Sequence, residues 1–206
     1  MWQGGAASEE RGRCTGERAP KRAVSPGRFR KLGEEVVYRG SLISVARATF
    51  ADPEDGEFTR DVVHHPGAVS VVPVVDEGTG VLLVRQYRAA VDRELLEIPA
   101  GKRDVDGEPV ERTARRELEE EVGMRAGRLE KLAEFYNSPG FCDEHSFVFM
   151  ALDLEACASS AQGVEEQHMT IERISFDEVP GLIASGGLID AKSLIGLSLA
   201  RVALGG

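Results

Sequence analysis

The chain has 206 residues, 42% hydrophobic and 29% charged, enough for one sizeable layered domain with its own core. Its formal net charge of −10 argues against nucleic acid as a partner, and would also repel a phosphate-bearing substrate unless cations were bound first. No apolar run approaches the roughly 18 residues that a membrane span needs, and the Arg-containing N-terminus lacks the apolar stretch of a secretory signal. Three cysteines, Cys14, Cys142 and Cys157, with no CxxC pair, suit a reducing cytoplasm rather than a disulfide framework or a zinc site.

Residues 1–30 are rich in Gly, Arg, Ser and Pro and poor in large aliphatic side chains, so they read as a disordered basic tail. Strand patterns follow at 36–39, 42–50 and 58–65, with the turn cluster Ala51-Asp-Pro-Glu-Asp-Gly56 between the last two. Two strongly apolar runs, 68–75 and 80–87, flank the turn 76–79 and predict a hairpin with a buried first strand. A short strand is expected at 95–99. Residues 109–122 predict a helix whose buried stripe is Val110, Ala114, Leu118 and Val122, with Pro109 in the first turn and Gly123 as the stop. Strands are expected at 129–136, 146–152 and 170–176. Two helices close the chain, one at 177–184 and one after an Asp190 cap, where Ile195, Leu199 and Val202 share a face. The sum is a layered α/β (α+β) domain: a mixed sheet sandwiched between helices, with an antiparallel N-terminal sheet.

The segment that carries chemistry runs from Gly101-Lys-Arg-Asp-Val-Asp-Gly-Glu108 into Arg116-Glu-Leu-Glu-Glu-Glu-Val-Gly-Met124. Glu117, Glu120 and Glu121 stand at i, i+3 and i+4, so their carboxylates share one helix face, and Glu119 points elsewhere. They fill the last turns, where the helix dipole disfavours negative charge. Carboxylates clustered against that local preference call for a compensating cation, and an oxygen-only ligand set selects Mg²⁺ or Mn²⁺ over zinc.

This segment resembles the Nudix box, G-x5-E-x7-R-E-U-x-E-E-x-G-U with U a bulky aliphatic residue. Glu108, Arg116, Glu117, Leu118, Glu120, Glu121, Gly123 and Met124 fit the spacing. Gly101 departs from it, because six residues rather than five separate it from Glu108, which reads as a lengthened loop. The resemblance implies a Nudix fold and a Mg²⁺-dependent hydrolase, with Mn²⁺ as a substitute. It makes Glu117 and Glu121 metal ligands, Glu120 a ligand or water-orienting group, the Ala100 carbonyl a further ligand, and Arg116 the group that holds the glutamates.

Other segments resemble the ADP-ribose pyrophosphatase subfamily: Arg85-Gln-Tyr-Arg88, Leu96-Glu-Ile-Pro-Ala-Gly101, Ser138-Pro-Gly140 followed by Glu144, and Gly187-Leu-Ile-Asp-Ala-Lys-Ser193. That likeness implies hydrolysis of ADP-ribose to AMP and ribose 5-phosphate. The alternatives are a UDP- or GDP-sugar as substrate, or a non-catalytic domain that senses a nucleotide. It also implies that Arg88 contacts the diphosphate, that Pro139 and Glu144 meet the substrate, and that Arg60 and Asp61 line the adenine side. The general base is expected in Gln162-Gly-Val-Glu-Glu-Gln167, as Glu165 or Glu166, with Glu144 next in line. His64, His65 and His168 read as surface or strand residues rather than ligands. The organisation expected is a tail (1–30), an N-terminal sheet that builds a homodimer (31–66) and the Nudix hydrolase domain (67–206), with Tyr38 or Phe50 near the neighbour's adenine site.

Overall fold

Period-two alternation decides the layers. In the strand Ala68–Val75 (β4), Val72 and Val74 point to one face and Val69 and Val71 to the other. Gly80–Arg88 (β5) divides in the same way, with Val81 and Leu83 against Leu82 and Val84. A strand apolar on both sides must be covered on both sides. The computed structural model, which describes residues 27–159 and 167–205, shows two apolar clusters back to back across one sheet.

That sheet has seven strands. Its main path pairs Thr170–Ser175 (β10), β5, β4, His145–Ala156 (β9) and Met124–Tyr136 (β8) in that order. β4 and β9 run parallel and the other neighbours antiparallel, so the sheet is mixed. Arg93–Glu97 (β6) pairs with β5, and the short Ala100–Lys102 (β7) pairs with β4. The hairpin turn is the 3₁₀ segment Asp76–Gly78, with Asp76 and Glu77 at positive φ.

Helix Val110–Val122 (α1) covers one face with the expected stripe, Ala114, Leu118 and Val122 buried and Val110 half-buried beside them. Pro109 sits at its N-cap, one position earlier than the first turn, and Gly123 ends it in the left-handed conformation. Val179–Ser185 (α2) and Ala191–Ala203 (α3) lie on the other side. Asp190 caps α3 by accepting from the Ser193 N–H (2.9 Å). The face of α3 that turns inward differs from the expected one: Ser193, Gly196, Leu197 and Ala200 are buried, whereas Leu199 and Val202 are exposed. The reason is closeness of approach. A Cβ on Gly196 would stand 3.0–3.1 Å from Ile98, Val148 and Val72, tighter than ordinary packing, so the glycine lets the helix settle there without displacing those side chains.

The N-terminal sheet is separate and antiparallel, in the order Arg30–Arg39 (β1), Ser44–Ala51 (β2) and Glu57–His64 (β3). β1 begins at Arg30, so the end of the segment expected to be tail is already strand, and Phe29 packs edge-on against Phe58. The rest of that tail, residues 1–26, lies outside the described residues, as do Glu165 and Glu166. No helix among the described residues is long and apolar enough to cross a membrane.

Candidate active site

With the stripe of α1 sunk in the core, its acidic face is left for a polar cleft of about 800 Å³. Glu117, Glu120 and Glu121 all line it; Glu117 and Glu121 are buried and Glu120 half-buried. Glu119 leaves this face and pairs with Arg125 at 3.1 Å. Arg116 stands between the glutamates: its Nη1 is 2.8 Å from Glu117 Oε1 and 3.1 Å from Glu120 Oε2. Its Nη2 lies 3.6 Å from Glu108 and 3.7 Å from Asp104. Burial works against the Arg116 cation, but the carboxylates of Glu117, Glu120 and Glu108 outweigh it and raise its pKa, so it stays charged.

β7 supplies the neighbouring wall. The Ala100 N–H donates to Glu121 Oε2 at 3.0 Å. Gly101 has a steric task that the altered spacing of its loop does not disturb. A Cβ there would lie 1.8 Å from Glu117 Cδ, so the Glu117 carboxylate occupies the space a side chain would fill. Hard oxygen donors gathered on one helix face, in a polar cleft shaped to admit them, fit a Mg²⁺-class cation. Among the described residues no three His, Cys, Asp or Glu side chains already converge as a finished ligand cluster, and the Arg116 guanidinium bridges Glu117 and Glu120 instead.

Arg88, at the end of β5, lines the same cleft. Its guanidinium is fixed by a bidentate pair with Glu97, Nε to Oε1 at 2.8 Å and Nη2 to Oε2 at 2.6 Å. The Glu97 side chain is only 1% exposed. Burial would raise its pKa, but Arg88 and Lys192 together hold it below the ordinary carboxylate value, so a full charge sits at the cleft floor. The rest of the Arg85-Gln-Tyr-Arg88 segment is committed elsewhere in part: Arg85 pairs with Glu172 at 2.5 Å, and the Tyr87 hydroxyl donates to Asp92 at 2.7 Å.

The residues expected to meet substrate divide between two spaces. Arg88 and Glu144 line the acidic cleft. Arg60, Asp61 and Pro139 line a second cavity of about 450 Å³, walled by Phe29, Phe50 and Phe58. The loop of residues 137–144 contributes to both, so it forms a shared wall. Phe50 stacks on Phe58 at 5.5 Å within its own chain, whereas Tyr38 is 57% exposed. The same loop is fastened to β3: the Val63 N–H donates to Phe141 O (2.7 Å), and Asp143 N–H donates to Val63 O (3.1 Å). His64 completes the fastening with Nδ1 2.6 Å from Asp143 and Nε2 2.9 Å from Glu34. Asp143 and Glu34 push its pKa up.

Glu97 and Lys192 went unrecognised as site residues in the sequence. Both lie in segments singled out for their likeness to the subfamily, Leu96-Glu-Ile-Pro-Ala-Gly101 and Gly187-Leu-Ile-Asp-Ala-Lys-Ser193. A buried carboxylate announces itself only when its partners are known, and Lys192 is 95 residues away.

Several known proteins resemble this chain. The chain is 36% identical over 162 residues to the ADP-ribose pyrophosphatase of Bacillus subtilis, covering 79% of this chain and 86% of that one. It is 34% identical over 169 residues to the ADP-ribose pyrophosphatase of Mycobacterium tuberculosis, covering 82% and 81%. A solved structure described as an ADP compounds hydrolase shares the fold with a TM-score of 0.76 at 24% identity, over 89% of this chain and 97% of that one. The NUDIX domain model matches residues 64–194. That span runs from the last residue of β3 into α3, taking in the whole box and both faces of the core, and the chain therefore belongs to the NUDIX domain family.

Proposed function

We propose that this protein hydrolyses the diphosphate bond of ADP-ribose, giving AMP and ribose 5-phosphate. The observation that carries the reading is that the acidic face of α1 and the Arg88 guanidinium open onto one cleft of about 800 Å³. A cleft of that size suits a nucleoside diphosphate sugar, and the two relatives named for ADP-ribose support the choice of substrate.

Glu117, Glu120, Glu121 and the Ala100 carbonyl would hold Mg²⁺, or Mn²⁺ in its place, which supplies charge neutralisation of the diphosphate and acidifies the attacking water. Arg88 takes a phosphate oxygen with its planar guanidinium. Arg116 keeps Glu117 and Glu120 in register by charge-assisted hydrogen bonds. Glu165 or Glu166, which precede β10 in sequence, removes the proton from the water. Glu144 meets the substrate in the cleft, while Arg60, Asp61 and Pro139 serve its base from the second cavity.

Residues 67–206 form the catalytic domain in this reading and residues 1–30 a tail without a catalytic task. Residues 31–66 join two copies into a homodimer. The support for that last point is an N-terminal sheet with Val37 51% and Tyr38 57% exposed, an apolar surface that two-fold pairing would cover. The free thiols of Cys142 and Cys157 fit a cytoplasmic setting.

The test is a panel of ADP-ribose, UDP-glucose and GDP-mannose with Mg²⁺, scored by product. ADP-ribose should give the highest kcat/KM, with AMP and ribose 5-phosphate in equal amounts. Preference for a UDP- or GDP-sugar would replace the substrate, and no turnover of any of them would replace the enzyme with a binding module. Light scattering during size-exclusion chromatography should give a dimer mass; a fully active monomer at micromolar concentration would remove the shared assembly.

A further inference from the structure

Helix α3 is the last described element, yet its first turn reaches the floor of the cleft. Two consecutive residues of that turn grip two consecutive residues ahead of β7. Lys192 Nζ bonds Glu97 Oε2, and Ser193 Oγ accepts from the Ile98 N–H at 2.8 Å. Lys192 is itself held from the other side by Asp190 Oδ1 at 2.9 Å. Asp190 meanwhile caps the helix through its other oxygen, which accepts from the Ser193 N–H and hydroxyl. The four charges of Arg88, Glu97, Lys192 and Asp190 balance, and all four line the cleft.

Such a network is a poor way to gain stability. Desolvating a carboxylate as deeply as Glu97 costs about as much as its ion pairs return, and an apolar replacement often does as well. Its benefit is angular. Glu97 Oε2 is shared by Arg88 Nη2 and Lys192 Nζ, so the ammonium fixes the carboxylate that in turn fixes the guanidinium plane. Without Lys192 the carboxylate keeps one cation partner and is free to rotate with it.

We propose that Lys192 is a positioning residue for substrate binding, acting through Glu97 to hold the Arg88 guanidinium at one angle in the cleft. This rests on the reading of Arg88 as a diphosphate contact. Helix α3 thereby sets the phosphate-binding side of a site whose acidic side comes from α1.

Steady-state kinetics on whichever sugar nucleotide the wild type cleaves best tests this. Lys192→Met should raise KM about 10-fold with kcat changed less than about 3-fold, the signature of lost binding that ground and transition states share. Lys192→Arg should recover most of the loss. Lys192→Met leaves a buried charge with one partner fewer and is exposed to misfolding, so the cycle includes Glu97→Gln and Glu97→Gln/Lys192→Met, which remove the charges together. Glu97→Gln should raise KM similarly, and adding Lys192→Met to it should change KM no further. An unchanged KM in Lys192→Met overturns the proposal, as does the same fold increase in both backgrounds, or a loss confined to kcat or melting temperature. Arg88→Met separates the two levels. If it raises KM while Lys192→Met does not, only the role of Lys192 falls; if it leaves KM unchanged, Arg88 is no substrate contact and both readings fall.

Discussion

Replacing Gly101 with alanine is the most direct probe of how the cleft is assembled. Gly101 is not among the positive-φ residues, so alanine meets no backbone strain there. The added methyl would sit 1.8 Å from Glu117 Cδ and 2.1–2.2 Å from its oxygens. Ordinary carbon contact begins near 3.5 Å, so the carboxylate must retreat by about 2 Å. It is the far end of a flexible side chain on a helix whose apolar stripe is elsewhere, so the fold has an inexpensive response. If Glu117 serves as proposed, the site does not: a displacement of about 1 Å in a positioned group costs on the order of 100-fold, roughly 2.7 kcal/mol in the barrier. We therefore expect Gly101→Ala to lose about 100-fold or more in kcat/KM while its stability stays within about 1 kcal/mol of wild type. A Mg²⁺ titration of turnover, run beside thermal melting, checks both halves. Near wild-type turnover with an unshifted Mg²⁺ dependence would refute the placement of Glu117 by this strand. A collapse in melting temperature would make Gly101 a folding residue instead.

Glu121→Gln keeps an oxygen to accept from the Ala100 N–H but removes a charge, so activity should fall at least about 100-fold with the fold intact; near wild-type turnover at low Mg²⁺ would contradict the ligand assignment. Gly196→Ala gains about 1 kcal/mol of helix propensity but forces a methyl to within 3.0–3.1 Å of Ile98, Val148 and Val72. Overpacking of about 2 kcal/mol should win, lowering the melting temperature by about 3 °C, and an unchanged or higher value would mean α3 can shift outward. His64 fastens β3 to Asp143 and Glu34, and its raised pKa means that its contribution is full below the unfolded value of about 6.5 and fades as pH rises through the folded one. Asp143, whose pKa burial would raise but the His64 hydrogen bond and the His65 N–H lower, contributes above about pH 4 and fades in acid. Thermal melts of wild type and His64→Gln should thus differ most at about pH 4.5–6 and converge toward pH 9, and a gap independent of pH would dismiss the ion pair.

Local spacing carried the parts of this protein that repeat along the chain. The stripe Ala114, Leu118 and Val122, the Gly123 stop and the Asp190 cap are each decided by neighbours within a few residues. So is the shared face of Glu117, Glu120 and Glu121, because helix geometry alone brings i, i+3 and i+4 together. The spacing of the box then pointed to the family by itself, and the NUDIX domain match agrees. What spacing could not convey is which distant elements meet. The apolar face of α3 written by Ile195, Leu199 and Val202 lost to the face around Gly196, because the missing side chain there permits close approach to Ile98, Val148 and Val72. Arg60, Asp61 and Pro139 parted from Arg88 and Glu144 because the loop of residues 137–144, bonded to β3, stands between two cavities. Glu97 carries no local mark of its burial. Its charge is tolerable only because Arg88 arrives from β5 and Lys192 from α3, and only the closed tertiary structure brings those two cations to the same carboxylate.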